Sequence, residues 1–287
     1  AGERCATGSA TSVVTTDLMD RVGVRFPQAH LDAEAMALLA AAGHEILGFD
    51  NVMPLFSVWH ESAALGCQVD WGDAHRMPDC GTPLARLDDD WRIPDDLLAH
   101  PACAVPLTAI RRLRQRLGTQ VAIVGKVFGP WTLGYHVFGV EEFLANTLLQ
   151  PDAIRRAMDR LAQVTIRFGL AQLDAGADAL CLADHATRDL CSPQAYRDFL
   201  MERHHQLAAT LACPVILHIC GDTADRLEYI RQTGVHCFHF DSRVPAATAR
   251  RLAGAKLSLM GGIGNVATIR NGSPEDVRAA VAATRRR

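Results

Sequence analysis

From residue 107 onward the chain alternates between amphipathic helical segments and short, almost wholly apolar runs. Each run breaks at Gly, Pro or an ionisable side chain. A run that is apolar on both faces suits a parallel strand, because the helix that returns the chain to the same edge covers one face of the sheet. Strands are expected at 49–57, 120–128, 177–183, 214–220, 235–241 and 257–262. Between them the period of 3.6 predicts helices over Leu107–Leu117, stopped by Gly118, and over Glu141–Leu149. A longer helix from Pro151 to Ala175 has Pro in its first turn. Ser192-Pro193 opens a helix to Leu211 with Ser as the N-cap. Shorter helices are expected at Thr223–Thr233 and Pro245–Leu252, and a last one after Ser273-Pro274. Upstream, Ala33–Leu47 reads as a packed helix ended by Gly48. The stretch 58–105 reads as a long irregular excursion of the functional kind. Its Asp88-Asp89-Asp90 run reads as a solvated turn, since it lacks the Gly and closing Glu of a calcium loop.

The class is therefore α/β, and 287 residues could form one large domain or two ordinary ones, α/β barrels of this size being commonly single domains. An open doubly wound sheet accommodates six strands, but a G-x-G-x-x-G after the first strand is absent. A (β/α)8 barrel needs eight strands. In either architecture the chemistry belongs at the C-terminal ends of the strands.

Three successive strands deliver polar side chains to that end. The run at 177–183 hands over Asp184 and His185. The run at 214–220 carries His218 and Cys220, two residues apart and so on one face. The run at 235–241 carries Cys237, His239 and Asp241, also on one face. His and Cys on one strand face are soft ligands that favour zinc, against the alternative of a structural thiol beside a hydrogen-bonded histidine. Cys237 is a possible third ligand, although it lies deeper in its strand. Cys181 is out of phase with Asp184 and is expected to face the helices. His204-His205 are expected at the surface. A zinc ion with an open coordination position suits a reaction in which a thiol becomes a thiolate nucleophile and accepts a methyl group.

Composition excludes other classes. With a net charge of −3 and no basic block other than Arg285-Arg286-Arg287, nucleic acid is not an expected partner. No apolar run approaches the roughly 18 residues of a membrane span. Nine scattered cysteines without a CxxC pair argue for reduced thiols and a cytoplasmic setting.

Several motifs carry a resemblance. Lys126-Val127-Phe128-Gly129-Pro130-Trp131-Thr132-Leu133 followed by Gly139-Val140-Glu141-Glu142-Phe143 resembles a segment of the uroporphyrinogen decarboxylase superfamily. His218-Ile219-Cys220-Gly221 is similar to the zinc-binding H-x-C-G of its methylcobamide:coenzyme M methyltransferase branch. Glu61–Gly72, Ala183-Asp184 with Ser192-Pro193, and Gly264-Asn265-Val266 with Asn271–Glu275 extend the resemblance over nearly the whole chain.

The resemblance implies a (β/α)8 barrel spanning 1–287, with the excursion at about 58–105 as an insertion. It also implies zinc held by His218 and Cys220, which activates a thiol or related acceptor toward the methyl group of a methylcorrinoid carried by a partner protein. Asp184, His239 and Asp241 are expected to line the pocket, with Glu61 added by resemblance. The family's third zinc ligand is a cysteine after the last strand. The chain is therefore expected to be a fragment, with its first strand partial and its last absent. In that branch Ala267-Thr268 departs from the usual Asp-Pro. The rival readings are a metal-free decarboxylase of porphyrin type, which would need arginines for several carboxylates, and a non-catalytic metal- or corrinoid-binding partner.

Overall fold

The computed structural model describes residues 6–285. Cys5 and the end of the terminal arginine run lie outside them. The described residues fall into two compact units that divide between Leu182 and Ala183.

The first unit holds β1 (Asn51–Val52), β2 (Ala122–Phe128) and all but the last residue of β3 (Ala179–Ala183), adjacent in that order. β1 pairs in parallel with β2, placing Asn51 opposite Ala122. The expected strand at 49–57 is therefore much shorter, and Pro54, which has no N–H to give a ladder, lies just beyond its end. The Pro151–Asp174 helix starts on its Pro. It turns a stripe of Ile154, Met158, Leu161, Val164, Phe168 and Gln172 into the interior, at the i+3/i+4 spacing of one helix face.

The irregular excursion holds more structure than its Gly and Pro content suggests. It contains a helix at His60–Leu65, and the helix expected from Leu107 begins at Pro101. Pro101 occupies the first turn, where a missing N–H costs nothing. Pro106, inside the helix, cannot donate to the carbonyl of Ala102. That carbonyl is instead satisfied at 3.0 Å by the Nδ1–H of His60. The aspartate run is a solvated turn. Asp89 accepts from the Arg86 N–H at 2.6 Å, and Asp90 pairs with Arg92 at the surface.

The C-terminal part of β2 is closed by side chains. The Gln172 carboxamide accepts from the N–H of Lys126 and donates to its carbonyl, both at 2.8 Å. Glu61 Oε1 accepts from the Phe128 N–H at 2.9 Å, and the Thr165 hydroxyl donates to the Phe128 carbonyl at 2.6 Å. Buried backbone groups must be paired, and here three buried polar side chains pair them.

In the second unit β4 (Val215–His218), β5 (Cys237–Phe240) and β6 (Ser258–Gly261) pair in parallel, again in chain order. The register sets His218 opposite His239, and His239 opposite Met260. Ser192 caps the segment that follows β3, accepting from the Ala195 N–H at 3.0 Å. The chain then passes through a π-helical turn, Tyr196–Met201, into the Glu202–Leu211 helix.

Gly125 offers a direct check on the packing behind β2. A Cβ there would lie 2.4 Å from Gln172 Oε1 and 2.7 Å from Leu180 Cδ2. Gly125→Ala is expected to lower stability by about 1–3 kcal/mol through overpacking, seen as a lower urea midpoint. An unchanged midpoint would show that Gln172 is not locked in this position.

Candidate functional site

Along β4 and the two residues after it, Val215, Leu217 and Ile219 are fully buried, while Ile216, His218 and Cys220 are only partly covered. In β5 Phe238 and Phe240 are buried, while Cys237 and His239 are partly covered. The period of two therefore brings His218, Cys220, Cys237, His239 and Asp241 to one face.

On that face His218 Nε2 lies 3.0 Å from Cys220 Sγ. The other ring nitrogen of His218, Nδ1, lies 2.8 Å from Nδ1 of His239, with the ring centroids 4.6 Å apart. Burial lowers His239 to about 4, against the pull of Asp241 in the other direction, so its imidazole is neutral at neutral pH. Burial raises the Cys220 thiol, and the Asp241 charge adds to this.

Asp241 braces the turn after β4. Its Oδ2 accepts from the Gly221 N–H at 3.0 Å, and its Oδ1 accepts from the Arg243 N–H at 2.9 Å. Burial would raise this carboxyl, but the backbone donors of Arg243 and Gly221 outweigh it and hold the group below its ordinary value. Gly221 has φ +81°, and a Cβ there would meet Thr187 Oγ1 at 2.4 Å. The turn therefore requires glycine.

Asp184 sits elsewhere. It is in phase with Leu180, which packs toward Gln172 of a helix, so its carboxylate enters the helix-covered side. There His204 Nε2 donates to Asp184 Oδ2 at 3.0 Å, and His204 Nδ1 lies 2.9 Å from the Tyr196 hydroxyl. All three side chains are buried. The backbone of Asp184 reaches β4 through its N–H, which donates to the His218 carbonyl at 3.0 Å.

His204 is thus an interior residue, contrary to the surface position expected from its His-His sequence. Its position in the series Tyr196, Leu200, His204, Leu207 and Leu211 was the signal that could have placed it, since that spacing is a buried helical stripe. Arg226 was also missed. It is fully buried and donates to the carbonyls of Ala186 at 2.6 Å and Cys191 at 2.7 Å, pinning the loop after β3.

Glu61 belongs to the first unit and its surroundings are those of β2. Cys181 faces the same side of the sheet as Lys126, opposite to Leu180, and not the helices as expected. Lys126 is 4% exposed, and its Nζ lies 5.5 Å from the Phe128 ring centroid. Burial lowers it to about 8, with Cys181 and Glu61 opposing the shift. Burial raises Glu61 to about 7, while the Phe128 N–H, its own N–H and Lys126 act the other way. Glu61 Oε2, His60 Nε2 and both ring nitrogens of His30 are buried with no hydrogen-bond partner among the described residues. Burial also lowers His60 to about 3 and His30 to about 4.

A metal has a partial donor set here. His218 Nε2 and Cys220 Sγ are adjacent soft donors on one face, of the types zinc takes. Cys237 pairs in register with Ile216, a full alternation deeper than His218, and does not join them. Among the described residues no group of three or more His, Cys, Asp or Glu is placed to hold a metal ion. The residues present therefore fit two positions of a zinc site.

Comparison with known proteins gives a consistent picture. The family model described as uroporphyrinogen decarboxylase (URO-D) matches residues 5–287. A methylated-thiol–coenzyme M methyltransferase of Methanosarcina mazei is 36% identical over 264 residues, 92% of this chain and 71% of that protein. A methylcobamide:CoM methyltransferase of Methanosarcina barkeri is 30% identical over 274 residues, 94% of this chain and 81% of that protein. Among solved structures, a methyltransferase from Methanosarcina mazei superposes with a TM-score of 0.96 at 28% identity. It covers 100% of this chain and 86% of that one.

The buried Glu61 carboxyl yields a pH prediction. Folded, it keeps its proton to about pH 7; unfolded, it releases it near the ordinary 4.5. Its contribution to stability is complete below about 4.5 and is lost as pH rises toward 7. Glu61→Gln, always neutral, should gain on the wild type by roughly 3 kcal/mol between pH 4.5 and 8. Parallel stability curves from urea titrations would contradict this.

Proposed function

The chain belongs to the uroporphyrinogen decarboxylase family, and from that premise we propose that it is a zinc-dependent methyltransferase. It moves a methyl group between a corrinoid carried by a partner protein and a small thiol or related acceptor. The observation that carries this reading is the His218–Cys220 pair, with Nε2 and Sγ 3.0 Å apart on the partly open face of β4. The methyltransferases among its relatives support the reaction. In this reading the six strands are part of a (β/α)8 barrel, and the pair lies at the strand ends where such barrels carry their chemistry.

His218 and Cys220 would hold the zinc. When bound, the metal would keep the acceptor sulfur as a thiolate, the nucleophilic form. The thiolate would take the methyl group as the bond to the corrinoid cobalt breaks with both of its electrons left on cobalt, and the thiol hydrogen would leave as a proton. Asp241 keeps the Gly221 turn in place, so that Cys220 stays beside His218. Asp184, tied to His204 behind the sheet, acts on this site through the His218 backbone. Glu61 stands within the first unit alone, as a buried carboxyl at the end of β2 that burial raises to about 7.

No described helix is long and apolar enough to cross a membrane, and no disulfide joins the eight described cysteines. A cytoplasmic setting with reduced thiols suits both facts.

The test is methyl transfer from methylcobalamin to a panel of small thiols by the zinc-loaded chain. His218→Ala and Cys220→Ser should each cut the rate by more than about 100-fold, the loss of roughly 3 kcal/mol of transition-state stabilisation. Chelator should abolish activity, and added zinc should restore it. Decarboxylation of a porphyrinogen by the metal-free chain, with no transfer to any thiol, would overturn the reading.

A further inference from the structure

His239 stands opposite His218 in the β4–β5 register, and their Nδ1 atoms are 2.8 Å apart. At that distance one nitrogen must carry a hydrogen and the other must accept it, because two lone pairs or two N–H groups would repel. The His239 ring is fixed from its far side. A Cβ on Gly261 of β6 would lie 2.8 Å from its Cδ2 and 3.1 Å from its Nε2. Gly261 (φ +105°) thus leaves room for this ring, where an alanine would collide with it.

The two possible assignments have opposite consequences at the other end of His218. With the hydrogen on His218 Nδ1, a neutral ring presents a bare Nε2 lone pair toward Cys220 Sγ, 3.0 Å away. The Cys220 S–H, a weak donor, is matched to that lone pair. With the hydrogen on His239 Nδ1, the hydrogen of His218 moves to Nε2. That nitrogen can then no longer act as a ligand.

We propose that His239 is a positioning residue. It accepts the Nδ1–H of His218 and so fixes the tautomer and ring angle that aim Nε2 beside Cys220. This assignment deepens the donor-pair reading and rests on it. It replaces the expectation that His239 lines the pocket as a catalytic group. The logic is general: a ligating imidazole keeps its orientation through the partner of its other nitrogen. Here that partner is a second imidazole on the neighbouring strand.

The test uses the whole chain with 15N-labelled histidine. Long-range proton–nitrogen spectra should show His218 with its hydrogen on Nδ1 and His239 with its hydrogen on Nε2. His239→Phe should release the His218 preference, and His239→Gln, whose side-chain oxygen still accepts, should preserve it. Zinc affinity, read by competition with a chromophoric chelator, should fall about 10–100-fold in His239→Phe. In His239→Gln it should stay within about threefold, well short of that loss.

A His218 ring protonated at Nε2 in the wild type would overturn the assignment. So would a His239→Phe protein with unchanged tautomer and unchanged affinity. If His239→Phe does not fold, the wild-type spectrum and His239→Gln decide the matter. If the tautomers are as stated and the wild type binds no zinc, the assignment of His239 stands and the functional reading falls.

Discussion

The alternation of side chains along β4 is the constraint on which the candidate site depends. Val215, Leu217 and Ile219 are committed to the interior, which leaves Ile216, His218 and Cys220 on the opposite face whatever else changes. A slip of one residue would bury the imidazole and thiol and expose three aliphatic side chains. Burial of a Val, Leu or Ile side chain is worth roughly 1.5–3 kcal/mol, so the apolar residues fix the register and the polar ones inherit their position. The turn at Gly221, gripped by Asp241, follows directly after Cys220.

The same economy of backbone pairing recurs elsewhere. At the end of β2, Gln172, Thr165 and Glu61 supply the hydrogen bonds that a strand end would otherwise lack. After β3, Arg226 does so for two loop carbonyls. His60 takes the carbonyl that Pro106 leaves open in a helix. These buried polar groups hold loops and strand ends still, which a site built at strand ends requires. Their protonation states follow from burial: neutral histidines, a carboxyl raised to about 7 and a lysine lowered to about 8.

Strand positions were largely legible in the sequence, because each apolar run is bracketed by Gly, Pro or a charged residue. The shared face of His218, Cys220, His239 and Asp241 followed from counting by twos. What escaped was set by partners far away in sequence. The end of the 58–105 stretch read as irregular, since nothing local reveals that Pro101 starts a helix and that the carbonyl orphaned by Pro106 is capped by His60. Asp184 read as a pocket residue because strand-end acids usually are. Parity with Leu180 sends it to the helix side, where His204 and Tyr196 receive it. Cys181 has the opposite parity to Asp184, and because Asp184 itself points to the helix side, Cys181 faces the side of Lys126. The His218–His239 contact depends on the register of two strands, which no single segment encodes.

X-ray absorption at the zinc edge of the loaded chain decides whether His218 and Cys220 act together as metal donors. A shell of sulfur at about 2.3 Å together with imidazole nitrogen at about 2.0–2.1 Å is the predicted result. The sulfur shell should disappear in Cys220→Ser. A zinc environment of oxygen and nitrogen alone in the unmodified chain, unchanged by that substitution, would contradict the account.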